Sequence, residues 1–274
     1  MGKKVVLLTI DPQVDFCSPT GALFVPGADK DMQRLAKMVK RTKGDLDDIV
    51  CTLDSHRTLH IAHPIWWVDA HGNHPTTLPK TLPTLITLAD VTGPNPKWRA
   101  TNPAYRQRSI DYVAKLQANN RYVLCIWPPH CLIASDGYKV QPELFEAFCE
   151  WEAQFAAINY VTKGSNIYTE HYSALLADVF DPGDLSTGLN TDLLDVCQDP
   201  DVALIGISGE AGSHCVPNTI RDIANNFGKD NIKKFRLIED TISPVPGFEK
   251  LQEDFINEMV SQGMEITTSD KFLA

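Results

Sequence analysis

The chain has 274 residues, 43% of them hydrophobic and 22% charged, the composition of a folded globular protein rather than a disordered one. That length holds one large α/β domain or two small ones, and either can bury a sizeable core. A net charge of −10 with no basic run argues against nucleic acid as a partner, because nothing offers to neutralise phosphates.

Cys17, Cys51, Cys125, Cys131, Cys149, Cys197 and Cys215 are odd in number and contain no C-x-x-C pair, so neither a disulfide scaffold nor a zinc-finger motif is expected. Several lie in apolar runs, where a cysteine acts as a small core hydrophobe. Reduced cysteines point to the cytoplasm. Met1-Gly2-Lys3-Lys4 leads into a short apolar run that lacks a signal-peptide core, and no apolar stretch is long enough to span a bilayer.

In chain order, strands are expected at 5–10, 49–53, 122–126, 159–162, 202–207 and 235–238, with a last one at 264–267. Helical spacing of apolar residues marks 31–43, 110–118, 142–157, 217–227 and 247–262. Continuous apolar strands joined by helices predict a three-layer α/β/α domain with a mainly parallel sheet of about six strands. The stretch from about 64 to 120 breaks the rhythm. It is rich in Pro, Thr and Trp, is punctuated by Pro75, Pro79, Pro83, Pro94, Pro96 and Pro103, and offers no strand to the parallel set. It reads as an insertion near the active-site edge of a single domain spanning 1–274.

Ligands of such sheets bind beyond the carboxyl ends of the strands. Asp11 follows the first strand, Asp54 and His56 the second, His130 the third, Lys163 the fourth and Cys215 the fifth. Any one alone is ordinary; all of them on one edge is a site. Cys215 follows a turn punctuated by Gly206, Gly209 and Gly212, with Pro217 suited to a helix start. The spacing is not that of a G-x-G-x-x-G phosphate loop. A thiol in a first helical turn feels the positive end of the macrodipole, which favours thiolate. Asp11 could take the thiol proton and return it to a leaving nitrogen, and Lys163 could hold both charges.

These residues resemble the nicotinamidase branch of the isochorismatase-like cysteine hydrolases. Ile10-Asp11-Pro12-Gln13-Val14-Asp15-Phe16 is similar to the family's opening block, and Asp54-Ser55-His56 with His60-Ile61 to its metal block. Trp127-Pro128-Pro129-His130-Cys131 with Gly137, Thr162-Lys163-Gly164, and Glu210-Ala211-Gly212-Ser213-His214-Cys215-Val216 follow in the family's order. The resemblance implies a triad of Asp11, Lys163 and Cys215, and a structural role for Asp15. It implies a cis Glu210–Ala211 peptide that aims the Ala211 and Cys215 N–H groups at an oxyanion. It implies a divalent metal, zinc foremost with iron or manganese as alternatives, on Asp54, His56 and His130, with His60 either an extra ligand candidate or a residue supporting the ligands from behind. Phe16 and Trp127 would flank the substrate ring. His63, His71 and His74, inside or beside the insertion, are expected not to be ligands, and His171 and His214 to be structural.

The implied reaction is hydrolysis of a small amide through a thioester, nicotinamide to nicotinate in NAD salvage. Family members often form homo-oligomers. Ser55 in place of an aromatic residue, Ala62-His63 in place of Ser-Phe, and the long insertion depart from the pattern close to the metal and pocket. They leave open another small amide as substrate. A non-catalytic metal- or partner-binding protein on the same fold is the remaining alternative.

Overall fold

The computed structural model describes residues 3–78, 82–119 and 122–274; Met1, Gly2, Pro79 and Asn120, mentioned above, lie outside them. Six strands form the central sheet: β1 (Lys4–Ile10), β2 (Asp48–Asp54), β3 (Asn159–Lys163), β4 (Val202–Gly209), β5 (Phe235–Ile238) and β6 (Glu265–Thr267). Their spatial order is β6-β5-β4-β1-β2-β3, and every pairing is parallel. β1 is buried without alternation from Val6 to Ile10, as a strand covered on both faces must be. β3 at the rim exposes Asn159, Tyr160 and Thr162 and buries Val161 and Lys163.

The principal helices are α1 (Ala28–Thr42), α2 (Arg106–Ala118), α3 (Pro142–Glu152), α4 (Thr191–Gln198), α5 (Cys215–Phe227) and α6 (Glu249–Ser261). α1 packs on α3, and α5 packs on both α4 and α6, giving the two helical layers of an α/β/α fold. Local chemistry fixes their starts. Gln141 accepts from Leu144 N ahead of Pro142, and Asn190 accepts from Leu193 N. No described helix is long and apolar enough to cross a membrane.

One expected strand is elsewhere. In the run 122–126 only Leu124–Cys125 is extended, and it pairs antiparallel with Leu85–Ile86, outside the central sheet. The sixth parallel strand is instead the short, half-exposed β6. The apolar run signals burial, which Leu124, Cys125 and Ile126 have, but not the partner.

The insertion is built from Leu85–Ile86, which takes that antiparallel partner, a second antiparallel pair (Trp67–Val68 with Arg99–Ala100) and α2. It packs into the same hydrophobic core as the sheet through Trp66, Trp67, Val113 and Leu116. The indole N–H groups are satisfied: Trp67 Nε1 donates to Ile61 O at 2.6 Å and Trp66 Nε1 to Ser109 Oγ at 2.9 Å.

Strand order reverses at β1, where β1→β2 runs one way and β4 lies on the other side. Ligand crevices form at such switch points. The strands meet tightly there. Gly209 has φ +106°, and a Cβ on it would lie 2.0 Å from Ile10 O. Gly209→Ala is therefore expected to lose about 3 kcal/mol or more of unfolding free energy in urea. Gly44→Ala, where a Cβ meets nothing within 4 Å, should change it by no more than about 0.5 kcal/mol.

Candidate active site

Register brings the first two charges together, because Asp54 at the end of β2 pairs with Lys163 at the end of β3. Asp11 leaves β1 at φ +43°, a left-handed turn that Asp tolerates better than most residues. Lys163 Nζ lies 2.8 Å from Asp11 Oδ2, 3.2 Å from Asp54 Oδ1 and 3.6 Å from Cys215 Sγ. All four residues are buried. Asp11 is steadied by Thr52, whose Oγ1 donates to Oδ1 at 2.6 Å and accepts from Asp11 N at 3.0 Å. Gln13 holds Asp54 by its backbone, accepting from Asp54 N at 2.7 Å and donating to Asp54 O at 2.8 Å. Asp15 accepts from Cys131 N and Ala22 N. A Cβ on Gly137 would fall on its carboxylate, which is why glycine stands there.

The electrostatics follow from burial. Burial opposes the Lys163 charge, but Asp11 and Asp54 hold its pKa well above the usual lysine value. Burial would raise Asp54, yet His56 and Lys163 hold it well below the carboxylate range. Burial raises Asp11, and Lys163 offsets only part of that. Burial also pushes the Cys215 thiol well up; Lys163 pulls it down, and Asp11 and Asp54 push it up again. This corrects the expectation from the helix dipole. Cys215 does open α5, but burial pushes its thiol toward the protonated form more than Lys163 draws it back.

The second cluster is a carboxylate among imidazoles. Asp54 Oδ2 lies 2.9 Å from His56 Nε2 and 3.4 Å from His130 Nε2. His130 Nδ1 is 2.8 Å from Pro128 O, a backbone acceptor that turns the other ring nitrogen, Nε2, toward Asp54. Both His56 ring nitrogens are buried and neither has an aligned hydrogen-bond partner among the described residues. Donor atoms of Asp54, His56 and His130 lie within 4.8 Å of one another, as do those of His56, His60 and His63. A buried carboxylate with unpartnered imidazole nitrogens is a donor set for zinc or a near neighbour, so the residues fit such an ion. A Cβ on Gly164 would lie 2.8 Å from Asp54 Oδ1, so glycine keeps this cradle open.

His60 and His63 both join His56 in a cluster, and they differ in how their nitrogens are engaged. His60 Nε2 lies 3.2 Å from Thr169 O and Nδ1 accepts from Ala62 N at 3.2 Å, so both nitrogens are engaged by backbone. His63 was expected to stand apart. Its Nδ1 lies 3.2 Å from Thr58 O, while its buried Nε2 has no partner, and its ring stands 5.3 Å from His56 and 5.7 Å from His130. Burial first, then the neighbouring imidazoles, hold both well below the usual histidine value and so neutral. The spacing His56-x3-His60-x2-His63 was the available signal. His71 is not in either cluster, and His74 Nδ1 lies 2.7 Å from Trp67 O. His171 accepts from Gly164 N, and His214 Nδ1 lies 2.8 Å from Ser213 Oγ; burial brings them to about 3 and about 4.

A narrow pocket opens onto Cys215, Asp54 and His130. Phe16 and Trp127 line it, Phe16 with its ring edge-on to His130 at 5.3 Å. Leu23, Glu170, Tyr172, His214 and Val245 also line it and were not foreseen there. Glu170 Oε1 is 3.9 Å from His56 Nε2, and Tyr172 OH accepts from Trp127 Nε1 at 2.7 Å. They sit in a segment without regular structure, where periodicity is silent. The run Thr169-Glu170-His171-Tyr172 shortly after Lys163 was the one clue. No described residue of 64–120 lines this pocket; the insertion acts from behind, where Tyr112 OH accepts from Glu170 N. Ala211 also lines the pocket, and the Glu210–Ala211 peptide is cis. Cys215 N is the first N–H of α5, a donor that a helix leaves without an internal partner.

The architecture is the isochorismatase-like α/β fold. Among solved structures it is that of the nicotinamidases and pyrazinamidases. The Acinetobacter baumannii nicotinamidase/pyrazinamidase is similar with TM-score 0.63 at 19% identity, covering 98% of each chain. Yeast nicotinamidase Pnc1p bound to the inhibitor nicotinaldehyde is similar at 0.62 and 17%, covering 96% of this chain and 99% of that one. The Pyrococcus horikoshii pyrazinamidase in complex with zinc is similar at 0.55 and 18%, covering 97% and 99%. Identities this low establish the fold. No family model and no curated protein sequence matches the chain.

Lys163→Met should destabilise the fold by about 3–5 kcal/mol in urea, since it leaves the Asp11 and Asp54 carboxylates buried without their cation. A loss below 1 kcal/mol would show that the ammonium is not the ionic centre of the site.

Proposed function

We propose that the chain is a cysteine-dependent amidohydrolase that converts nicotinamide to nicotinate and ammonia, a step of NAD salvage in the cytoplasm. The observation that carries this reading is the single buried ammonium of Lys163 in contact with Asp11, Asp54 and Cys215 at the mouth of a small pocket. A scaffold has no use for a thiol, a base and a cation converging in a dry site, and their burial costs stability.

Because burial favours the thiol form of Cys215, it needs a base at the moment of attack. Asp11, with its affinity for protons raised by burial, accepts that proton while Lys163 steadies the emerging thiolate. Sγ then adds to the carboxamide carbon. The oxyanion faces the Ala211 and Cys215 N–H groups. Asp11 returns its proton to the departing nitrogen, ammonia leaves, and a thioester remains. Water, deprotonated by the same carboxylate, adds to the thioester; the acid leaves and the thiol is restored. Phe16 and Trp127 bracket the ring. An ion on Asp54, His56 and His130 would supply an electrophile with open positions suited to a pyridine nitrogen. His63 Nε2 is placed to serve that ion too, more than His60 is.

Ammonia release from nicotinamide is expected for the wild type, with a loss of at least about 10³-fold in Cys215→Ala and in Asp11→Asn. No release from nicotinamide by a folded wild type, with turnover of another small aromatic amide, would keep the mechanism and replace the substrate. His63→Phe should weaken metal binding about 10- to 100-fold in chelator competition, read as metal retained per chain. Retention equal to wild type would remove His63 from the metal's surroundings.

A further inference from the structure

A second pair of buried acids lies behind the nucleophile turn, and the reaction does not use it. Glu210, the residue before Ala211, is wholly buried, and so is Asp31 on α1. The two carboxyls converge on one residue: Ser243 Oγ donates to Asp31 Oδ2 at 2.5 Å, and Ser243 N donates to Glu210 Oε2 at 3.1 Å. Glu210 Oε1 is buried and has no donor among the described residues. Arg34 Nη2 donates to Asp31 Oδ1, and among the described residues it is the one cation at the pair; its Nε is turned to Asp240, donating to the backbone oxygen and lying 3.8 Å from Oδ2. The buried Cys17 thiol, which burial, Glu210 and Asp31 keep protonated, adds no charge. Two carboxylates against one guanidinium that is shared with a third acid leave a negative charge in a dry site.

We propose that Glu210 and Asp31 share a single proton, carried by Glu210 and donated to Asp31, and that this bond clamps the nucleophile turn to α1 and to the 242–245 segment. The turn needs such a clamp. Its ties to that segment are Gly212 N to Ser243 O at 2.8 Å, Ser243 N to Glu210 Oε2 at 3.1 Å and Val245 N to Ser213 Oγ at 3.0 Å, and Val245 is part of the pocket wall. A proton between the acids adds a tie to α1, which holds Ser243 through Asp31, and so joins the segment holding Cys215 to the one shaping the pocket. Burial first, and then Asp31, push Glu210 well above the ordinary carboxyl value, in the direction the shared proton requires. Glu210 is thus a positioning residue. Its effect on catalysis rests on the reading proposed above, whereas the shared proton does not.

The sign of the linkage follows. Below the unfolded carboxyl pKa, about 4.3, both states hold the proton and the clamp contributes fully. Above it the unfolded chain releases the proton and the folded chain keeps it, so stability falls as pH rises toward the folded pKa. Glu210→Gln, whose amide donates to Asp31 at every pH, escapes this loss. Its melting temperature should gain on wild type by about 2–5 °C per pH unit above pH 5, in a measurement that needs no substrate. A constant gap overturns the shared proton. Asp31→Asn should flatten the slope as well but melt lower than Glu210→Gln, because Arg34 and Ser243 lose their carboxylate. The opposite ranking overturns the assignment of the proton to Glu210. In turnover, Glu210→Gln should shift the alkaline limb of the pH–rate profile upward by about one unit or more. If melting behaves as expected and the limb does not move, the proton stands and the positioning role falls. Absence of turnover in every variant, with the melting result intact, counts against the amidase reading instead.

Discussion

One ammonium organises this molecule's chemistry. Lys163 is buried at the rim of the sheet with a carboxylate on either side, and its charge offsets part of what burial costs each of them. Desolvating three charges is worthwhile only if each meets the other at contact distance, and the parallel register arranges this: Asp54 and Lys163 are partners across β2 and β3, and Asp11 ends the strand on the far side of β2. The thiol arrives last, on the first turn of α5, into a field already set by the other three.

That field explains why the two halves of the site behave as one. Asp54 touches the lysine through Oδ1 and the imidazoles through Oδ2. Its position is fixed by Gln13 and by the space that Gly164 leaves. Charge on the imidazole side therefore reaches Asp11 and Cys215 through a single carboxylate and a single ammonium. The insertion contributes at one remove, through Tyr112 behind Glu170 and the indoles that seal the core.

Much of this was legible in the sequence because strand ends are legible. An apolar run followed at once by Asp, His, Lys or Cys reports both a strand and its functional edge, and Asp11, Asp54, Lys163 and Cys215 were readable that way. The run 122–126 misled, since apolarity reports burial and not pairing. His63, Glu170 and Tyr172 escaped because they stand in turns and irregular chain, where neighbours in space leave no spacing in sequence. The thiol's protonation could not be read either, since desolvation is a property of the folded surroundings. Asp31 was the subtler omission. An acid between apolar residues on the inward face of a helix, beside Met32 and Leu35, announces a buried partner without naming it.

The switch point at β1 has a consequence for how the chain is made. β1 lies between β2, which follows closely, and β4, with which it shares the Thr9–Ser208 hydroxyl contact across 199 residues of sequence. During synthesis β1 and β2 can pair early, while the other edge of β1, apolar and flat, stays open until β4 emerges. An unfilled central position is a template for any other strand. The molecule's demand for a folding partner is therefore greatest while the chain is still incomplete, and it ends with the strand that delivers the nucleophile.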